Sequence, residues 1–340
     1  MTNDLRVAVV GAGMMGADHV GRIATTIAGA TVSAVVEPDE ARRTAALGLA
    51  PGAAGFADLD AALASGVVDA VLVATPGQFH EQALLKVLAA GLPVLCEKPL
   101  TQDPESSWRV VEAEMAGGRQ LIQVGFMRRF DREYEELRKV VAAKPAGELV
   151  MLHARHRNAS VPESYVQTML INDSVVHEFD VVPWLAGGVV TSVEVKYPRR
   201  NSRSPEHLRE PILVLIELDN GVLVDVEMNV SIEFGYQVET EAVFERGVAR
   251  IGEPAGLQMW QQGRFSVADH ADFTTRFREA YDRQVQAWVD AAKAGTIAGP
   301  SAFDGYKVAV CCAAGVQALE TAGPVPVELP EMPAFYAERA

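Results

Sequence analysis

Apolar residues follow two different rhythms along this chain. In the first third, short unbroken runs recur: Leu5 to Val10, the "TVSAVV" before Glu37, "VDAVLVATP" and "LPVLCEKP". Helical stretches such as "QFHEQALLKVLAAG", with Gly91 as a C-cap, separate them. Unbroken runs of this length suit strands buried on both faces, and their alternation with helices predicts a doubly wound parallel sheet, an α/β fold. After "QLIQVGFMRRFD" and a charged helix near Asp131 to Ala143, longer strands take over. In "PILVLIELDNGVLVDVEMNV", Val222, Val224, Val226, Met228 and Val230 fall on one face and Asp225, Glu227 and Asn229 on the other. Asn220-Gly221 predicts a type I′ hairpin turn. The chain therefore divides into a nucleotide-type domain, 1–125, and a second domain, 126–340. The polar face of the second sheet reads as solvated, and the helical stretches Phe273 to Ala294 and Phe303 to Thr321 are long enough to pack back on the first domain.

Glycine spacing sharpens the first half. "GAGMMG" follows the first strand directly and opens a helix, which places Gly11, Gly13 and Gly16 in a G-x-G-x-x-G turn. Such a turn brings backbone N–H groups and a helix N-terminus to a pyrophosphate. Glu37, at the end of the second strand, is an acid placed to accept from two ribose hydroxyls and to repel a 2′-phosphate, so NAD is expected over NADP. Arg42 and Arg43 read as a solvated helix face, although a guanidinium there leaves some NADP use open. Ligands are expected beyond the carboxyl ends of the strands, near Gly11, Glu37, Thr75 and Lys98.

Composition narrows the partners. The 340 residues carry a net charge of -15, and no basic run is interleaved with aromatics, so neither nucleic acid nor an anionic membrane surface is an expected partner. Three cysteines, two of them adjacent, do not make a disulfide framework and suggest the cytoplasm, and no Cys/His cluster has metal-site spacing.

Three residues point to proton and charge chemistry. Lys98 follows a buried strand at the ligand end of the sheet, while Asp173 and His177 in "INDSVVHEFD" lie four apart. At about 100° per residue, Asp173, His177, Asp180 and Trp184 share one helical stripe, opposite Val175, Val176, Phe179 and Val182. A histidine titrating near neutrality suits proton transfer, and a carboxylate can orient it. The same pair also reads as a helix N-cap at Asn172 or Asp173 beside a buried histidine. Asp180 is a possible second partner for His177, and Pro183 is expected to kink or shorten the helix.

Together "GAGMMG", "EKP", "GFMRRFD", "HRN", "NDSVVHEFDVVPWL", "FGY", "EAYD" and "GPSAFDGY" resemble the Gfo/Idh/MocA dehydrogenases over nearly the whole chain, most closely their inositol-oxidising bacterial members. That resemblance implies a Rossmann domain followed by an α+β domain with a large, open-faced, mainly antiparallel sheet. Homotetramers often form through such sheets, which replaces the solvated reading of the outer face. It implies catalytic roles for Lys98, Asp173 and His177. Cofactor contacts are expected from Gly11, Ala12, Gly13, Met14, Met15, Gly16, Glu37, Thr75, Pro76, His80, Glu97 and Lys98. Polyol contacts are expected from Met127, Arg128, His156, Asn158, Asp173, His177, Tyr236 and Tyr281. Glu37 departs from the aspartate common in relatives. The activity implied is NAD-dependent, metal-free oxidation of myo-inositol to its 2-keto product. Another inositol isomer or a pyranose sugar is the alternative substrate, and a non-catalytic nicotinamide-binding sensor the alternative class.

Overall fold

Six parallel strands build the first sheet of the computed structural model, which describes residues 4–254 and 256–337. They are Leu5–Val10 (β1), Ala30–Val36 (β2), Ala54–Phe56 (β3), Ala70–Val73 (β4), Val94–Glu97 (β5) and Ile122–Gly125 (β6), in the order β3-β2-β1-β4-β5-β6. Every residue of β4, β5 and β6 is buried, which is why these strands appear in the sequence without polar alternation. Helices Met14–Thr25 (α1), Glu40–Leu49 (α2), Leu59–Ala64 (α3), His80–Ala89 (α4) and Pro104–Ala116 (α5) join them. Asp39, Asp58 and Asp103 cap α2, α3 and α5 by accepting from the N–H of Arg42, Ala61 and Ser106. Strand order reverses between β1 and β4, where a doubly wound sheet opens its ligand crevice. This is the expected fold.

Residues 281–309 and 330–340 belong to the same unit as residues 1–126. Val285, Trp288 and Val289 share one core with Val7, Val20, Val35 and Leu72. Nearer the C-terminus, Tyr336 donates its hydroxyl to Glu114 at 2.6 Å.

The second unit comprises residues 127–280 and 310–329. Its strands are Leu149–Arg157 (β7), Val190–Lys196 (β8), Ile212–Leu218 (β9), Leu223–Asn229 (β10), Gln237–Phe244 (β11) and Gly247–Ile251 (β12), beside a hairpin of Gln258–Gln261 (β13) and Arg264–Val267 (β14), and a short Val325–Pro326 (β15). The large sheet runs β12-β11-β7-β10-β9-β8-β15, and only β7 and β10 pair in parallel. Val222, Val224, Val226, Met228 and Val230 are all buried, as their alternation predicts. Arg132–Ala143 (α6), capped by Asp131, and Val176–Ala186 (α7) belong to this unit. The chain continues through Phe273–Arg276 (α8), Arg278–Ala294 (α9), Ala302–Ala318 (α10) and Ala334–Ala337 (α11).

Several local expectations change. The β9–β10 turn is not type I′: only Gly221 has positive φ (84°), and its N–H donates to Leu218. Asp219 and Asn220 form a right-handed turn, and the glycine adds a bulge that restores strand twist. The stretch expected as one helix from Phe273 breaks at Phe277, whose ring is fully buried. Pro183 does not shorten α7, which continues to Ala186 and ends on Gly187 with φ 70°. Proline removes a single N–H there, close to an end already closed by a left-handed glycine.

Candidate active site

The glycine turn shows a different requirement at each position. Gly11 has φ +92°, and a Cβ there would lie 2.8 Å from the carbonyl oxygen of Ala74. At Gly16 a Cβ would meet the Gly11 oxygen at 1.9 Å, so α1 packs directly on the turn. At Gly13 a Cβ would meet nothing within 4 Å, so this is the open side. Helix α1 starts there with no side-chain cap and no acid in its first turn, leaving its N-terminal dipole to attract an anion.

Gly11, Gly13, Met14, Met15, Glu37, Thr75 and Pro76 line a cleft of about 600 Å³ together with Arg42. Glu37 is 7% exposed, and its carboxylate accepts from the N–H of Ala12 at 2.8 Å and of Asp39 at 3.1 Å. The longer acid thus curls back onto the turn. Arg43 donates to the Glu37 carbonyl at 2.5 Å, whereas Arg42 lines the cleft, so the two arginines do not form one solvated face. Thr75 Oγ1 is buried with no hydrogen-bond partner among the described residues, a position that calls for a ligand partner. An uncapped helix start, a ribose-level carboxylate, an unpartnered hydroxyl and the apolar walls of Val10, Val36 and Phe79 fit a dinucleotide.

Other expected residues of this unit are not part of that cleft's lining. Ala12 and Gly16 are buried in the turn, and His80, also buried, stands against the backbone carbonyls of Thr75 and Pro99. Glu97 ends β5 and Lys98 follows it, half-buried. Tyr281, expected near the polyol, belongs to this unit and sets its ring edge-on to His19, with centroids 6.1 Å apart.

In the second unit, Asp173 and His177 straddle a change of helix type. Leu170–Val175 is a π-helical turn and α7 begins at Val176, so no side-chain N-cap forms at Asn172 or Asp173. A π turn advances by more residues than an α turn and shifts the phase of everything after it. The polar stripe divides: Asp173 is exposed, whereas His177 and Asp180 are buried, and Arg129 clasps Asp180 through both oxygens, with Nε 3.0 Å from each. Beside His177, Glu178 is 1% exposed and forms an ion pair with Arg128. His156 completes the cluster, its Nδ1 lying 3.2 Å from Arg128 Nη2 and 3.3 Å from a Glu178 oxygen. The His156 ring centroid stands 6.3 Å from those of both His177 and Tyr236.

Electrostatics follow from this burial. Desolvation alone would raise the Glu178 carboxyl, but Arg128 and His156 outweigh it and bring its pKa to about 2. Desolvation works against the Arg128 cation too, yet Glu178 raises its pKa overall. Burial draws His156 below its ordinary value and pushes the Tyr236 hydroxyl up. Arg128, at 1% exposure, is thus turned into the protein toward Glu178, and Met127 is buried beside it in the chain. Asn158 Oδ1 is buried with no hydrogen-bond partner among the described residues.

Glu178 and His19 were not singled out by motif reasoning. The signal for Glu178 was an acid amid Val176, Phe179, Val181 and Val182, at a helix position that apolar neighbours would bury. His19 sits three residues past the last glycine of the turn and offers no spacing cue of its own.

Comparison with known proteins accords with this architecture. Residues 5–126 match the GFO/IDH/MocA oxidoreductase family with its NAD-binding Rossmann fold, and residues 134–250 match the GFO/IDH/MocA C-terminal domain. The chain is 65% identical to the inositol 2-dehydrogenase of Leifsonia xyli, covering 99% of each sequence. It is 61% identical to that of Corynebacterium glutamicum, covering 99% of this chain and 100% of the other. The crystal structure of myo-inositol dehydrogenase from Lactobacillus casei in complex with NAD(H) and myo-inositol superimposes with a TM-score of 0.95 at 30% identity, over 98% of this chain and 99% of that one. The chain belongs to the Gfo/Idh/MocA oxidoreductase family, and its first unit carries that family's NAD-binding Rossmann fold.

Proposed function

We infer that this protein is an NAD-dependent inositol 2-dehydrogenase that oxidises myo-inositol to the 2-keto product. The observation that carries the reading is full-length similarity at 65% identity to an inositol 2-dehydrogenase, and the cleft at Gly11, Glu37 and Thr75 supports it. When bound, NAD supplies a nicotinamide that takes the hydride from the carbinol carbon. Gly13 and the start of α1 hold the pyrophosphate, and Glu37 and Thr75 hold sugar hydroxyls. His177 accepts the proton of the reacting hydroxyl. Asp173 orients that imidazole and stabilises its charged form, while the Lys98 ammonium stabilises developing negative charge on the oxygen. The unpartnered Asn158 Oδ1 suits a polyol hydroxyl, and the Arg128–Glu178–His156 cluster braces the wall beside His177.

The open face of the large sheet is the self-association surface in this reading, giving a homotetramer that works in the cytoplasm. Along it, Met151 pairs with Leu223 and Val243, the next row holds the contact of His153 with Asp225, and the row after that the ion pair of Arg155 with Glu239. Apolar patches bordered by charge suit an interface between copies.

The test is NADH formation by purified protein with myo-, scyllo- and D-chiro-inositol and with glucose, each with NAD and with NADP. Fastest turnover with myo-inositol and NAD is expected, and residual NADP use would report on Arg42. Tight NAD binding without turnover of any polyol would leave the non-catalytic sensor in its place.

A further inference from the structure

Two buried histidines that this chemistry does not use stand on either side of the Lys98 turn. His19, on α1, is 0% exposed, and its Nε2 lies 2.7 Å from Oε1 of Glu97. The other oxygen of that carboxylate accepts from the Lys98 N–H at 3.3 Å. His80, at the start of α4, is also 0% exposed. Its Nδ1 lies 2.8 Å from the carbonyl oxygen of Pro99, and its Nε2 lies 2.6 Å from that of Thr75. One histidine therefore engages the residue before Lys98 and the other the residue after it.

We propose that His19 and His80 are positioning residues that hold the Glu97–Pro99 turn and so fix the backbone from which Lys98 presents its ammonium. The proposal rests on the catalytic reading of Lys98 given above. Glu97 is 6% exposed, and a carboxylate that deep needs its donors. Without His19 it turns toward water and carries the Lys98 amide with it. His80 ties the same turn to Thr75 at the cofactor cleft. Carbonyl oxygens only accept, so a protonated ring holds both and a neutral ring holds one. The neutral tautomer with its proton on Nδ1 holds Pro99, and the protonated ring holds Pro99 and Thr75 together, whereas a leucine of similar volume holds neither.

A double-mutant cycle with Lys98→Ala decides the matter. His19→Leu and His80→Leu are each expected to lower kcat by roughly 10- to 100-fold, the scale of a misplaced catalytic group. Their affinity for NAD, read by fluorescence quenching, should stay within about threefold, well under the 1.4 kcal/mol of a tenfold change. His19→Gln, whose amide N–H still reaches toward Glu97, should recover most of the loss, and His19→Ala and His80→Ala, which leave the turn without a donor, carry the test if a leucine variant does not fold. In the Lys98→Ala background the histidine substitutions should add less than about twofold, because coupled residues are not additive. Equal losses with and without Lys98 would overturn the positioning role alone. A Lys98→Ala protein with parental kcat would overturn the role of Lys98 and this inference together.

Discussion

His177 stands at the first turn of α7, 8% exposed, beside a glutamate that already serves another partner. As the proposed base, its replacement removes the acceptor of the substrate proton, and positioned acid–base groups contribute about 10²- to 10⁴-fold. His177→Ala is therefore expected to lose that much in kcat while NAD binding is kept; steady-state rates and NAD titration check both. Turnover near the parental rate would remove His177 from the mechanism. Among single residues, legibility tracked the range of the constraint. Gly11, Gly13 and Gly16 were readable because turn geometry and helix contact are decided within a few residues. Glu178 and the Arg129–Asp180 pair were not, since a wheel at constant pitch has no place for a π turn and says nothing of partners about 50 positions away.

At the scale of elements, the strand–turn–helix of β1 and α1 separates a fold requirement from a ligand requirement. Gly13→Ala adds a methyl group to open space, so its thermal midpoint should match the parent while NAD affinity falls roughly tenfold, about 1.4 kcal/mol. Gly16→Ala forces Cβ against the Gly11 carbonyl and should lower the midpoint itself, with a cost of about 1–3 kcal/mol. Identical midpoints for the two variants, read by circular dichroism, would contradict this division of roles.

Helix α7 and its buried cluster add a pH dependence. Glu178 has a folded pKa of about 2 against an ordinary 4.5, so its contribution is complete above pH 4.5 and disappears as pH falls toward 2. His156 acts in the same sense: burial keeps it neutral where the unfolded chain would take a proton, so stability also falls below about pH 6.5. Glu178→Gln leaves the Arg128 cation buried without its counter-ion and should cost about 3–5 kcal/mol at neutral pH. The gap between parent and variant in urea midpoints should shrink from pH 5 to pH 3. A gap that stays constant would show that the carboxylate is not what holds the cluster.

For the whole molecule, the prediction concerns the open sheet. Met151 on β7 lies between Leu223 and Val243, on the face of the sheet opposite the buried Leu152, Val224 and Ala242. Met151→Glu places an unpaired charge in the centre of that row. If copies associate there, light scattering should show the tetramer replaced by smaller species at the same protein concentration. An unchanged mass would move the interface elsewhere. The open face shows how little a single chain says about its own surfaces. Alternation along β10 separated a core side from a polar side, but water and a second copy both tolerate the same mixed residues.

What the sequence by itself determined is local. Unbroken apolar runs, alternating strands and the glycine turn follow from sterics and from hydrogen bonds between near neighbours, and they specify a doubly wound sheet followed by a second, mixed sheet. Tertiary structure decided which acids meet which bases. Arg128 joins Glu178 and His156, Arg129 joins Asp180, and two histidines from separate helices flank the Lys98 turn. Those pairings depend on burial, because a charge removed from water must find a partner wherever the fold brings one, and spacing along the chain does not record where that is.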